Sequence, residues 1–161
     1  MSLRIIATGG TFDKHYDEIS GQLAFSQSHL PEALTRARIT LPFVFEPLMM
    51  IDSLDMTDGD RSRILAACRN SPETRIVIVH GTDTMPETAD VLGAAGLSKT
   101  IVLTGAMVPY ELAHSDAMFN LGFGCCAAQT LPDGVYIAMN GQVFNSGAVR
   151  KNRAAGIFQS D

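Results

Sequence analysis

The chain has 161 residues, 46% hydrophobic and 18% charged, which suits one globular domain with a sizeable core and excludes a disordered or fibrous chain. Lys and Arg number 12 against 17 Asp and Glu, and with a net charge of -5 and no basic run a nucleic-acid partner is not expected. The longest apolar stretches, such as Ile101–Leu103 and Val135–Met139, are too short to span a bilayer, and Met1-Ser2-Leu3-Arg4 runs into a strand-like segment without a signal-peptide core. The expectation is a soluble cytoplasmic protein with no membrane partner.

Apolar runs rich in Val and Ile predict buried strands at Arg4–Ala7, Phe43–Ile51, Arg75–His80, Thr100–Leu103 and Gly134–Met139. The segment Phe12–Phe25 contains Gly21 and has no clean period, so it reads as a hairpin or mobile loop. Helices are predicted over Thr57–Asn70, Thr84–Gly96 and Ser115–Gln129. Thr84 with Glu87 has the capping-box spacing, and Thr57 with Asp60 approximates it. Ile64, Leu65 and Cys68 mark the inward stripe of one helix; Val91, Leu92 and Ala95 mark that of the next. Alternating strands and helices require crossover connections, so the expected fold is α/β, a doubly wound and mostly parallel sheet with helices on both faces, forming one domain over 1–161.

Ligands on such sheets sit beyond the carboxyl ends of the strands. There the sequence places Thr8-Gly9-Gly10-Thr11, Asp52-Ser53, Gly81-Thr82-Asp83-Thr84 and Thr104-Gly105-Ala106-Met107, so hydroxyls, carboxylates and glycines converge on one edge. Gly9-Gly10 lets backbone amides approach a ligand, yet neither G-x-G-x-x-G nor G-x-x-x-x-G-K follows the first strand, which makes nucleotide binding a minor reading. Thr82 and Asp83 put a hydroxyl beside a carboxylate just before a helix, whereas Thr84 reads as the cap. A hydroxyl nucleophile needs a group to take its proton, and lysine can serve. Of Lys14, Lys99 and Lys151, Lys99 precedes a strand at the opposite end of the sheet, Lys14 lies near Thr11, and Lys151 can return to the functional edge.

Ala7-Thr8-Gly9-Gly10-Thr11 and His80-Gly81-Thr82-Asp83-Thr84-Met85 resemble the two signature motifs of the bacterial-type L-asparaginases. The similarity continues in order through Ile51–Met56, Val102–Pro109, Ser115–Leu121 and the tail around Lys151, covering nearly the whole chain as the amino-terminal catalytic domain of that family standing alone. It implies that Thr11 is the nucleophile, that Tyr16 orients it, and that Thr82, Asp83 and Lys151 handle protons. Ser53 and Asp83 would hold the α-carboxylate and α-ammonium of the substrate, with Gly10, Leu54 and Thr82 completing the binding set and the amides near Gly10 and Thr82 facing the oxyanion. The implied reaction is hydrolysis of the side-chain carboxamide of L-asparagine through an acyl-enzyme, with no cofactor and no metal.

Departures from the family pattern are Leu54 for a polar residue, Val108 for a basic one and Ala117 for glycine. The chain ends at Asp161 where these enzymes usually carry a second domain, so a homo-oligomer that completes the site is expected. Leu54 keeps open an amidohydrolase for another small carboxamide, and the length keeps open an amino-acid-binding module without turnover. Cys68, Cys125 and Cys126 are expected to be small buried hydrophobes in a reducing compartment. His15 and His114 read as loop residues, His80 as a half-buried structural imidazole, and Asp116 as a helix-start packing partner.

Overall fold

The computed structural model describes all residues from Met1 to Asp161. Its strands are β1 (Leu3–Gly9), β2 (Lys14–Asp17), β3 (Gln22–Phe25), β4 (Phe43–Ile51), β5 (Arg75–Val79), β6 (Thr100–Thr104), β7 (Gly134–Met139), β8 (Gln142–Asn145), β9 (Val149–Asn152) and β10 (Ile157–Ser160). Its helices are α1 (Leu30–Arg36), α2 (Asp58–Asn70), α3 (Met85–Ala94) and α4 (Ala117–Thr130), and short 3-10 turns occupy Thr11–Asp13 and Ser53–Asp55.

Six strands form one sheet in the order β4-β1-β5-β6-β7-β8. The first five are parallel and β8 returns antiparallel to β7, as expected for a mostly parallel α/β sheet. Successive side chains on a strand point to opposite faces, and the core divides accordingly. Leu3, Ile5 and Ala7 of β1 pack with Val77, Val79 and Val102 against α1 and α4. Ile6 joins Ile76, Ile78, Ile101 and Leu103 against α2 and α3. Each fully buried Leu or Ile contributes about 1.5–3 kcal/mol, so both faces of the sheet are strongly committed to their helices.

Several local expectations are corrected. Thr57 and Asp60 form a full capping box, but Thr84 caps nothing with its side chain. Its backbone lies at φ -119, ψ 25, and its hydroxyl donates instead to the Ser53 carbonyl at 2.7 Å. The inward stripe of α3 is Met85, Thr88, Ala89 and Leu92, whereas Val91 is on the exposed side. Phe12–Phe25 holds a hairpin, β2 with β3, which is the first of the two forms expected for it, but His15 lies on a strand and not in a loop. Cys126 is exposed, unlike Cys68 and Cys125. Helix α1, strand β8 and the β9–β10 hairpin had no counterpart among the predicted elements. No helix is long and apolar enough to cross a membrane.

Candidate active site

Two glycines shape the exit of β1. Gly9 and Gly10 adopt φ values of 97 and 73, a region that favours glycine. A Cβ on Gly10 would stand 2.4 Å from the Gly81 backbone, so the exits of β1 and β5 touch main chain to main chain. Gly81 in turn leaves room for Ser53, whose Oγ would lie 2.6 Å from a Cβ there. Residues from the ends of β1, β4 and β5 are thereby brought together before any side chain is considered. The Gly10 amide donates to the Ile51 carbonyl at 2.9 Å, which withdraws it from the oxyanion role expected from sequence. The Thr82 amide has no acceptor within the chain.

Thr11 opens the turn that follows, partly exposed and with its hydroxyl free of any hydrogen bond within the chain. Phe12 behind it is fully buried and stacks on Tyr110 at 5.8 Å, which anchors the turn to the core. Tyr16 is 55% exposed on β2, with its hydroxyl over the hairpin turn at Gly21 and no hydrogen bond to Thr11.

At the exit of β5, Thr82 is 4% exposed and Lys151 reaches it from β9. Lys151 Nζ donates to Thr82 Oγ1 at 2.7 Å and to Asp83 Oδ1 at 2.8 Å. Three of the sequence-predicted residues therefore form one hydroxyl-ammonium-carboxylate group. Arg153 approaches the same carboxylate at 3.5 Å, while Arg150 pairs with Asp161, so only Arg153 of these two arginines pairs with Asp83. Lys99 donates to the carbonyls of Cys68 and Ser71, outside the site as expected.

His80 supports this loop from below. It is wholly buried, and the pattern of its bonds assigns the tautomer: Nδ1–H donates to the Gly81 carbonyl at 2.7 Å, and Nε2 accepts from Thr88 Oγ1 at 2.9 Å. Burial pushes the imidazole down to about 4, with the charge of Arg61 acting the same way and the Gly81 bond opposing both. Such a group remains neutral and structural near neutral pH.

Ser53 is buried, and its Oγ accepts from the Thr84 amide at 3.3 Å. Leu54 is 60% exposed on the outer side of the same turn. Asp52 just before them accepts from the Leu54 amide at 3.0 Å and forms an ion pair with Lys14 at 2.5 Å. Sequence reasoning left the Lys14–Asp52 pair out. The available signal was two opposite charges at the exits of strands that prove to be neighbours, β1 and β4.

Asp116 accepts from the amides of Met107 and Val108 and from Asn120 Nδ2, holding the loop that follows β6. His114 is exposed in that loop with φ 64. No group of three or more His, Cys, Asp or Glu side chains is arranged to hold a metal ion.

The family model for the asparaginase N-terminal domain matches residues 2–160. The chain is 28% identical to L-asparaginase 1 of Escherichia coli (strain K12), over 96% of its own length and 48% of the relative's. It is 30% identical to a probable periplasmic L-asparaginase of Haemophilus influenzae, over 97% of this chain and 48% of that one. The crystal structure of L-asparaginase I from Vibrio cholerae O1 biovar eltor superimposes with a TM-score of 0.86 at 26% identity, covering 99% of this chain and 51% of that one. The chain thus spans about half the length of these proteins.

Proposed function

This chain belongs to the asparaginase family through its N-terminal domain, and from that premise we propose that it hydrolyses the side-chain carboxamide of L-asparagine to L-aspartate and ammonia. Residues 1–161 act as one catalytic domain in this reading. Thr11 Oγ bonds to the carboxamide carbon, the C–N bond breaks, and the nitrogen leaves as ammonia carrying the hydroxyl proton. Water then displaces Thr11 from the acyl-enzyme, giving the carboxylic acid and restoring the hydroxyl.

The observation that carries this reading is the contact of Lys151 Nζ with both Thr82 Oγ1 and Asp83 Oδ1, 2.7 and 2.8 Å away, beside the glycine-packed exit that bears Thr11. A hydroxyl hydrogen-bonded to an amine provides a proton path, and Asp83 fixes the amine. The free amide of Thr82 is a better oxyanion donor than that of Gly10, which serves instead by lacking a Cβ. Ser53 and Asp83 bind the amino-acid end of the substrate, and Tyr16 orients Thr11.

Ammonia release by the purified protein on addition of L-asparagine, with L-glutamine and other carboxamides in parallel, tests the proposal. Leu54, exposed at the rim, favours a second reading in which a less polar carboxamide is the substrate. Binding of L-asparagine by calorimetry with no ammonia from any carboxamide would select an amino-acid-binding module. Three unpaired cysteines accord with a reducing cytoplasmic location.

A further inference from the structure

The β2–β3 hairpin forms its own two-stranded sheet and pairs with no strand of the central one. A two-stranded hairpin is marginally stable by itself, so its placement depends on its links to the rest of the chain. Beyond its base, two polar links leave it. Lys14 Nζ meets Asp52 Oδ2 at 2.5 Å beyond β4, and the Tyr16 amide donates to Glu111 Oε1 at 2.6 Å in the loop after β6. The base is closed by Asp13, whose Oδ1 accepts from Ser28 Oγ at 3.1 Å and the His29 amide at 2.8 Å. Since β1 and β5 lie between β4 and β6 in the sheet, these links bracket the exits that carry Thr11 and Thr82.

We infer that Lys14 is a positioning residue for the nucleophile, seating the Thr11 turn against the Ser53 turn through its ion pair with Asp52. The connection to Thr11 is direct, because the Lys14 backbone N–H donates to the Thr11 carbonyl. Asp52 is a fixed anchor: its other oxygen accepts from the Leu54 amide, and the next residue, Ser53, is tied to Thr84 at both its carbonyl and its hydroxyl. The pair therefore joins the turn of the nucleophile to the turn of a substrate-binding serine. Its side chains are 20% and 28% exposed, and the ammonium lies 5.6 Å over the Phe25 ring. Burial alone would raise the Asp52 carboxyl, but the Lys14 hydrogen bond and charge, the Leu54 amide and the charge of Lys151 outweigh it and hold the group below its usual range.

The inference rests on Thr11 as the acylated group, so its first test needs no substrate. Amide hydrogen exchange over residues 14–25 is compared in the wild type, Lys14→Met, Asp52→Asn and Lys14→Arg. Asp52→Asn retains an oxygen for the Leu54 amide, which makes it an independent probe of the ion pair. The expected result is exchange at least about tenfold faster in the first two variants and wild-type protection in Lys14→Arg. In turnover, Lys14→Met and Asp52→Asn each lower kcat at least about tenfold with KM changed less than about threefold, the double variant is no worse than either, and Lys14→Arg recovers most of the rate. Unchanged exchange in both disrupting variants, or additive losses of kcat, would overturn the inference. A wild type that turns over no carboxamide would instead remove the proposed function and leave the exchange comparison to decide the ion pair.

Discussion

Lys151 Nζ lies 2.7 Å from Thr82 Oγ1, although the two residues are 69 positions apart in the chain. Nothing local holds the pair together. Thr82 is set by the exit of β5, and Lys151 by a short hairpin that follows the antiparallel turn out of β7 and β8. Two chain segments with separate architectural roles meet at one hydrogen bond, and Asp83 receives the same ammonium.

That contact is the basis for proposing that Lys151 handles a proton and does not only pair charge. Lys151→Met is expected to lower kcat by at least about a hundredfold, the low end for lost general-base assistance, with a smaller effect on KM. Lys151→Arg keeps the charge beside Asp83 but cannot act as a base, so it should be nearly as slow. Steady-state kinetics on both variants check this; an arginine variant close to wild type would assign the lysine to charge placement alone.

His80 predicts a specific acid sensitivity of the fold. Its imidazole titrates near 6.5 in an unfolded chain and is pushed down to about 4 here, so the unfolded state takes up the proton first as pH falls. The contribution is fully present above about 6.5 and is lost progressively between there and about 4, on the order of 3 kcal/mol in total. Denaturant midpoints measured from pH 7 to pH 4 should fall less steeply for His80→Gln than for the wild type. Parallel curves would contradict the assignment.

The two helix starts make a paired test of local chemistry. Thr57→Ala removes a formed capping box and should cost about 1 kcal/mol in equilibrium unfolding. Glu87→Ala removes a residue that takes part in no cap, and it should change stability by less than about 0.5 kcal/mol.

Assembly is a further expected outcome. Tyr16, Leu23 and Leu54 are exposed around the hairpin and the β4 exit, at 55%, 44% and 60%, and a site that polarises a carbonyl works best when water is excluded. A homo-oligomer that brings another protomer's surface near Tyr16 and Leu54 would supply that cover. Light scattering at assay concentration should give a mass above 17.3 kDa, and a fully active monomer would contradict it.

The central strands were legible because Val and Ile runs such as Arg75–Val79 are buried on both faces and leave little polar alternation to confuse the period. Their exits named Thr11, Ser53, Thr82 and Asp83, because a parallel sheet collects its ligand groups at one edge. Lys151 was legible through its place in the motif order and not through its surroundings, since Arg150-Lys151-Asn152-Arg153 resembles a solvated basic stretch. Helix α1 was missed because it is only seven residues long. The strands β8 to β10 span four residues each, too few to display a period. Thr84 followed the capping spacing, but tertiary structure offered its hydroxyl the Ser53 carbonyl instead. The Lys14–Asp52 pair is a contact between adjacent strand exits, and strand order is not written in spacing.

The most direct measurement is ammonia release from L-asparagine by the wild type and by Thr11→Ala, each first shown to be folded. Losing the nucleophile removes bonding made only in the transition state, so the expected result is turnover by the wild type and none above background by the variant, with the fold and much of the ground-state binding retained. A variant that keeps more than about a tenth of wild-type kcat, a deficit of only about 1.4 kcal/mol, would show that Thr11 is not the group that is acylated.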